Sequence, residues 1–248
     1  MLILCGMGGY SSFAATVLNP GATSGLKYWW DFTTNTAPID YTSGSPVVGA
    51  PWGEDFGNNA AGVGQISSGH TPWKASPGID AGSFTVSFDI RNLQAADWKN
   101  VFAMNTNGSS QDNNFLCLQT TDSGLSLYAT GFGGGASGTN YINLSNLRGD
   151  SSWNTVTITS DGLTVSLYVN GILAGNMAYQ TSGSVTGMQF GKSFGGGRDI
   201  TGADMDNVGI WDRALSADEV KLLTVPEPGA AALGLMAFTP LLMRRRRR

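Results

Sequence analysis

Apolar and polar residues alternate along several short stretches of the chain, which is the pattern of β-strands that bury one face. Residues 84–90 show this alternation most regularly. Their apolar face carries Phe84, Val86, Phe88 and Ile90, and their polar face carries Thr85, Ser87 and Asp89. Other short runs, separated by Gly, Asn, Asp and Ser, predict strands at residues 26–32, 101–104, 115–119, 125–130, 141–144, 188–191 and 205–212.

A β-meander is predicted over residues 153–179. Alternating runs at residues 153–159 and 163–169 end before the pairs Asp161-Gly162 and Asn170-Gly171. Asp-Gly and Asn-Gly are preferred in two-residue type I′ turns, because both central positions need φ > 0. We therefore expect three consecutive antiparallel strands that are joined by two tight turns, with Leu163 on the apolar face of the middle strand.

One short helix is predicted over residues 217–223. Ser216 is a natural N-cap residue, and Glu219 follows three residues later, which completes a capping-box pattern. Val220 and Leu223 are spaced to face the sheet.

The two ends of the chain differ in composition from its body. Residues 1–14 form an apolar run that ends in Ser12-Phe13-Ala14. This small-x-small ending predicts a signal peptide that is cleaved after Ala14. Because the usual basic start is missing, a buried strand or a start codon further upstream stays as an alternative.

At the other end, an apolar run of 15 residues, 229–243, would span about 22 Å as a helix, less than the ~30 Å hydrocarbon core of a bilayer. Five arginines, which cannot be buried, follow this run. The segment therefore predicts a short membrane span with a basic cytoplasmic end. The basic end comprises Arg244, Arg245, Arg246, Arg247 and Arg248.

Residues 225–248 resemble the PEP-CTERM sorting signal of bacterial proteins. The short motif, the apolar run and the arginine cluster occur in the order of that signal. The motif residues are Val225, Pro226, Glu227 and Pro228. The resemblance implies export, transient anchoring in the inner membrane, and cleavage near the motif by an exosortase, a membrane cysteine protease. The product would reach the cell surface or the extracellular matrix.

Residues 15–224 resemble the laminin-G-like, concanavalin A-like jelly roll of exported bacterial proteins. Three stretches carry the resemblance: LKYWWDF at 26–32, FTVSF at 84–88 and MDNVGIWDRALS at 205–216. In the third stretch, Asn207 replaces the usual Glu and Gly209 replaces the usual Arg. The resemblance implies an all-β fold, with two antiparallel sheets of six or seven strands and one short C-terminal helix.

Charge and composition narrow the range of possible functions. Charged residues make up only 13% of the chain, against about 25% in an ordinary soluble protein, and glycine accounts for 35 of 248 residues, about twice the usual share. Without the five terminal arginines and Glu227, nine basic and 17 acidic residues leave a net charge of −8. A body this acidic repels nucleic acid and anionic membranes.

The sequence contains few residue patterns that are typical of catalytic sites. The three glutamates are Glu54, Glu219 and Glu227, and no spacing suggests the carboxylate pair of a glycosidase. Cys117 lies in an apolar run and is expected to be a buried thiol. With His70 as the single histidine, neither a zinc site nor a Cys/His catalytic pair is expected.

Two kinds of binding site are candidates. Trp52, Trp73 and Trp98 lie in loop-like segments, where an exposed indole can stack on a sugar ring, whereas Trp29 or Trp30, Trp153 and Trp211 are expected in the core. Laminin-G-like domains often hold Ca²⁺, and the candidate ligands here are Asp31, Asp204 and Asp206. Backbone hydrogen bonding by these carboxylates is the alternative.

The sequence thus predicts a non-catalytic, exported surface or matrix module that binds a glycan or a protein partner. A matrix component without a specific ligand and a divergent glycoside hydrolase are the alternatives.

Overall fold

The computed structural model describes residues 22–30, 39–40, 47–48, 57–58, 64–67, 73–75, 78–94, 97–106, 115–121, 124–130, 141–145, 147, 149–179, 183–191, 198, 200 and 202–224. The predicted signal peptide and the predicted sorting segment at 225–248 lie outside these residues. Within the described part of the chain, no helix is long and apolar enough to cross a bilayer.

The described residues form an antiparallel β-protein with one short helix near the end. The elements are β1 Leu26–Trp30, β2 Ile39–Asp40, β3 Val47–Val48, β4 Gly57–Asn58, β5 Gly64–Ser67, β6 Trp73–Ala75, β7 Ser83–Gln94, β8 Asn100–Thr106, β9 Phe115–Thr121, β10 Gly124–Thr130, β11 Tyr141–Ser145, β12 Asn154–Asp161, β13 Thr164–Val169, β14 Ile172–Ala178, β15 Val185–Phe190, β16 Gly202–Trp211 and α1 Ala217–Lys221.

These strands build two sheets. Across the described ranges, one sheet has ten strands, ordered β14-β13-β12-β7-β16-β1-β2-β3 with β5 and β4 attached beside β16, and the other has six, ordered β11-β10-β9-β8-β15-β6. The main core lies between the sheets and includes Phe84, Phe88, Phe102, Leu118 and Ile158. The predicted two-sheet all-β sandwich is confirmed, although one sheet has more strands than the six or seven expected.

Strand β7 differs from its prediction in one respect. Phe84, Val86, Phe88 and Ile90 are buried as expected, but the opposite face, with Thr85, Ser87 and Asp89, is also buried. The strand lies between β12 and β16 in the middle of the larger sheet. Period-two alternation reveals the face that meets the core, and it cannot show what covers the other face.

The meander is present, and one of its two turns differs from the prediction. Val169 pairs with Ile172 across Asn170-Gly171, and both turn residues have positive φ, as a type I′ turn requires. The other connection is longer, because the last pair before it is Ser160 with Val165.

The Asp161 carboxylate shapes that longer connection. Asp161 Oδ1 accepts hydrogen bonds from the backbone N–H groups of Leu163 and Thr164. Leu163 therefore lies in the turn and is exposed, instead of belonging to the apolar face of the strand.

The helix begins and is capped as the sequence predicts, but it ends at Lys221, two residues before the predicted end. Ser216 and Glu219 form the reciprocal capping box, and Val220 and Leu223 are buried. They belong to a second apolar cluster, on the outer side of the larger sheet, that includes Trp29 and Trp211. This cluster covers one end of the outer side of the larger sheet.

Candidate functional site

On the outer face of the six-stranded sheet, several polar side chains are buried and have atoms without a hydrogen-bond partner in the described structure. On β9, Leu116 and Leu118 face the main core. Because successive side chains of a strand point to opposite sides, Cys117 and Gln119 face outward. Both are nevertheless buried.

Strand pairing brings other polar residues beside Gln119. Asn100 of β8 lies opposite Gln119 on one side, and Ser126 of β10 lies opposite it on the other. In the adjacent row, Cys117 pairs with Ala103, which in turn pairs with Gln189 of β15. We call Asn100, Gln119 and Gln189 the amide face.

The amide face has unused hydrogen-bonding capacity. Within the described residues, both side-chain amide atoms of Asn100 and the Oε1 atoms of Gln119 and Gln189 have no hydrogen-bond partner, although each atom is buried. A buried polar group without a partner costs about 1–3 kcal/mol. Such groups are retained where a water or a ligand supplies the missing bonds.

An exposed aromatic residue lies at the end of this row. Trp98 precedes β8 by two residues, is 55% exposed, and donates its backbone N–H to Thr120 O at 2.8 Å. Thr120 is the neighbour of Gln119 on β9, so Trp98 lies at the Asn100–Gln119 end of the amide face. Its φ is +62°, a left-handed value that is unfavourable for a bulky side chain and that concentrates at functional sites.

A cation lies on the other flank. The backbone N–H of Asn100 donates to Arg198 O at 2.8 Å, and Arg198 is exposed. Burial raises the pKa of the Cys117 thiol far above its usual value, and the positive charge of Arg198 partly opposes this rise.

The outer face of the larger sheet also contains buried polar groups, and those are paired. Thr155 Oγ1 donates to Asp89 Oδ1 at 2.6 Å, and Asn207 Nδ2 donates to Asp89 Oδ2 at 2.6 Å. Burial raises the pKa of Asp89 to about 6, while these two hydrogen bonds oppose the rise. Asp206 lies opposite Asp89 on β16.

The three tryptophans proposed for sugar binding have different outcomes. Trp98 lies in an exposed turn, as predicted. Trp73 belongs to strand β6, so its assignment to a loop is wrong; its backbone pairs with Phe190 at the far side of the smaller sheet. Trp52 lies outside the described residues.

The tryptophans expected in the core were Trp29 or Trp30, Trp153 and Trp211, and they divide differently. Trp29 and Trp211 are buried, as expected, and their rings pack edge to face with centroids 6.4 Å apart. Trp153 is half-buried, and the Arg91 guanidinium carbon lies 4.4 Å from the centre of its ring.

The calcium candidates do not form a group in the described residues. Asp204 Oδ2 accepts hydrogen bonds from Arg91 Nε and Asn92 Nδ2, each at 2.9 Å. Asp206 Oδ1 accepts the backbone N–H of Asn207 at 2.8 Å. Asp31 lies outside the described residues, within which no three potential metal-binding side chains cluster, so calcium binding stays a prediction.

Sequence reasoning missed Asn100, Gln119 and Gln189. The available signal was an amide at an alternating position inside an apolar strand, as in FLCLQTT of β9. That pattern is ordinary on a solvated face, and only strand pairing shows that the three amides are neighbours and buried.

The fold resembles a domain of an arabinanase and the binding domains of toxins, all of known structure. Domain 4 of AbnA, a GH43 extracellular arabinanase from Geobacillus stearothermophilus solved with arabinotriose, has a TM-score of 0.57 and 17% identity over 80% of this chain and 98% of that chain. The binding domain of Paraclostridial Mosquitocidal Protein 1 has a TM-score of 0.53 and 17% identity over 82% of this chain and 52% of that chain.

A third structure, the binding domain of botulinum neurotoxin DC in complex with SialylT, has a TM-score of 0.54 and 15% identity over 81% of this chain and 50% of that chain. The present chain thus spans about half the length of both toxin domains. No curated protein matches the chain.

The Laminin_G_3 family model, described as the concanavalin A-like lectin/glucanases superfamily, matches residues 64–221. This match covers more than half of the chain and agrees with the resemblance found at residues 84–88 and 205–216. The chain therefore belongs to the concanavalin A-like lectin/glucanases superfamily.

Proposed function

We propose that this protein is a non-catalytic glycan-binding module and that it binds its ligand on the outer side of the six-stranded sheet. The observation that carries the proposal is the position of the exposed, strained Trp98 beside three buried amides that have unpartnered atoms.

The chemistry of this surface suits a sugar. An indole offers a large, rigid apolar area on which a pyranose ring can stack. An amide offers a donor and an acceptor side by side, and a sugar hydroxyl can both donate and accept. Because the unpartnered atoms of Asn100, Gln119 and Gln189 are buried, a ligand would complete their hydrogen bonds only by displacing the groups that cover them.

The structural neighbours support a glycan as the ligand class. The AbnA domain is recorded with arabinotriose and the neurotoxin DC binding domain with SialylT. At 15–17% identity these likenesses establish the fold, and they do not locate a sugar on this chain.

A glycan array followed by calorimetry tests the proposal. The body, residues 15–224, should bind at least one glycan, and Trp98→Ala should weaken that binding at least tenfold, about 1.4 kcal/mol. Trp153→Ala is the matched control, because Trp153 stacks on Arg91 of the other sheet, and this variant should keep its affinity. An empty array would favour a matrix component without a specific ligand.

We also propose that the protein is exported and sorted through its C-terminal segment. The support is the order of the motif, the apolar run and the arginine cluster in residues 225–248. Intact mass spectrometry of the protein from its own cells should show a mature chain that ends near residues 226–229. Recovery of chains that keep Arg248, in cells that contain an exosortase, would contradict the proposal.

A further inference from the structure

We infer that the folded domain docks on the outer surface of the membrane through an apolar corner, formed by Ile172, Leu173 and Leu222, until the C-terminal segment is cleaved. The inference rests on the proposed export and sorting of the protein. It adds the orientation of the folded domain relative to the bilayer and the residues that contact lipid.

The three side chains of the apolar corner are exposed although they are large and aliphatic. Ile172 is 73% exposed, Leu173 49% and Leu222 43%. Ile172 and Leu173 begin β14 directly after the Asn170-Gly171 turn, and Leu222 follows the last residue of α1. Exposed apolar side chains that lie together mark surfaces that meet a partner or a membrane.

Close packing of the turn against the end of the helix brings these side chains to one place. A Cβ atom added to Gly171 would lie 2.8 Å from Thr224 Cγ2 and 3.2 Å from Lys221 Cα. The backbone of the turn therefore contacts residues on both sides of Leu222, and Ile172 is the next residue after Gly171. The hairpin tip and the end of α1 thus form one packed unit.

The corner presents apolar groups on both sides of the hairpin tip. Leu173 pairs with Tyr168, and residues directly opposite each other in an antiparallel pair share a face. Tyr168 packs against the second apolar cluster, which includes Val220 of α1, so Leu173 lies on the side of the helix. Ile172, as the preceding residue of the strand, points to the other side. A tip of this shape can enter the lipid headgroup region as a wedge.

The chain leaves the described fold at Thr224, beside this corner. Residues 225–228 separate Thr224 from the apolar run 229–243, so the run begins at most about 18 Å from Thr224. As a helix the run is about 8 Å shorter than the hydrocarbon core, and the arginines after it belong on the cytoplasmic side. A short span is accommodated by thinning of the bilayer or by drawing in its flanks, and both bring the folded domain closer to the lipid.

The contact with lipid is apolar and not electrostatic. The charged side chains of α1 beside the corner compensate each other: Lys221 pairs with Asp218 at 2.8 Å, and Glu219 pairs with Arg213 at 2.6 Å. The acidic body as a whole is repelled by anionic lipid. We therefore expect docking on uncharged lipid as well, and we expect it to persist at high salt.

Fluorescence quenching in a bilayer tests this orientation. The full chain with Cys5→Ser is placed, one copy per disc, in phosphatidylcholine nanodiscs. An environment-sensitive dye is attached to Ile172→Cys, Leu222→Cys or Leu163→Cys, one at a time, while the buried Cys117 is protected from labelling. Leu163 is the matched control, because it is a 65% exposed leucine at the opposite end of β13, about 20 Å from Ile172.

Nitroxide lipids that are labelled near the headgroup serve as the quencher. They should quench the dye at positions 172 and 222 at least threefold more than the dye at position 163. This ratio should be the same at about 0.15 M and about 0.5 M salt, because screening affects only charge contacts. The double substitution Ile172→Ser with Leu173→Ser should lower quenching at position 222 at least twofold, whereas Leu163→Ser should leave it unchanged.

A dye on Ala237→Cys, inside the apolar run, separates the inference from the sorting proposal. Quenching at position 237 without quenching at 172 and 222 would overturn the inference and leave the membrane span intact. Quenching at none of the positions would overturn both. Equal quenching at 163 and 172 would show a domain without a preferred orientation. A blue-shifted emission at 172 only in discs that hold two copies would show a contact between copies, and either of these last two results also overturns the inference.

Discussion

The outer faces of the two sheets bury polar groups in opposite ways. On the ten-stranded sheet, Asp89 is held by Thr155 and Asn207, and Ser87 is bonded to Thr157 at 2.8 Å. On the six-stranded sheet, the three side chains of the amide face retain unpartnered atoms in the described structure. Both faces are inaccessible to solvent at these positions, so exposure does not distinguish them.

Hydrogen bonding does distinguish them. A satisfied buried network orders the protein itself, because every donor and acceptor is used within the fold. An unsatisfied set costs free energy unless another molecule completes it. The first face is therefore structural, and the second is the better candidate for a ligand.

Two departures from the family pattern fall on the structural face. Asn207 has φ of +49° within the irregular pairing between Asp206 and Gly209, and it donates to the Asp89 carboxylate, where the usual Glu would add a second negative charge. A Cβ atom at Gly209 would overlap the rings of Trp211 and Trp29. Asn207 and Gly209 therefore suit this particular packing.

The largest expected contrast is between two tryptophans, one on each face. Trp211 is fully buried, packs against Trp29 and donates Nε1–H to Ala22 O at 2.6 Å. Trp211→Ala should lower the free energy of unfolding by about 3–5 kcal/mol. Trp98→Ala should change it by less than about 0.5 kcal/mol, since Trp98 is exposed. Urea unfolding followed by circular dichroism measures both, and similar losses would contradict the contrast.

The next largest expected effect is a pH dependence of the stability that arises from the titration of Asp89. Its pKa is about 6 in the folded protein and about 3.8 in the unfolded chain, so its stabilising contribution is complete below about pH 3.8 and is lost as the pH rises through 6. Asp89→Asn can keep a hydrogen bond to each partner without the charge, with Asn207 Nδ2 still donating to the amide oxygen and the Thr155 hydroxyl accepting from the amide nitrogen. Relative to the wild type, this variant should gain up to about 3 kcal/mol between pH 4 and pH 7.

Asp218→Asn is the control for that measurement, because Asp218 is an exposed carboxylate on α1 paired with Lys221. Asp206, which lies opposite Asp89, and the Arg91–Asp204 pair are unchanged in both variants. If the stability difference between wild type and Asp89→Asn is the same at pH 4 and pH 7, Asp89 is not the titrating group.

The smallest expected change in the free energy of unfolding should have opposite signs for substitutions on the two outer faces. Gln119→Leu removes a buried acceptor that has no partner in the described structure and should raise the free energy of unfolding by about 1 kcal/mol. Ser87→Ala removes the partner of the Thr157 hydroxyl and should lower it by about 1 kcal/mol. A loss in Gln119→Leu would show that water already satisfies the amide, and the comparison between the faces would fail.

Local sequence patterns accounted for most of the longer elements of the fold, whereas the short strands β2 to β6 were not predicted. The Asn170-Gly171 turn formed as expected because two adjacent positive φ values suit few residue types. The capping box formed because Ser216 and Glu219 complete each other's hydrogen bonds within one turn. The apolar faces of β7 and β9 reached the core because period-two alternation encodes one buried side.

The tertiary structure decided everything that depends on neighbours distant in sequence. Gln119 and Gln189 are 70 positions apart, and only the pairing of β9, β8 and β15 places them on one surface. The burial of Asp89 likewise depends on what covers the outer side of the larger sheet. Hydropathy specifies whether a side chain prefers water, and it carries no information about which partner meets it in the fold. For that reason the family resemblance and the sequence motifs predicted a binding module, while the residues of its candidate surface emerged only from strand register and hydrogen bonding.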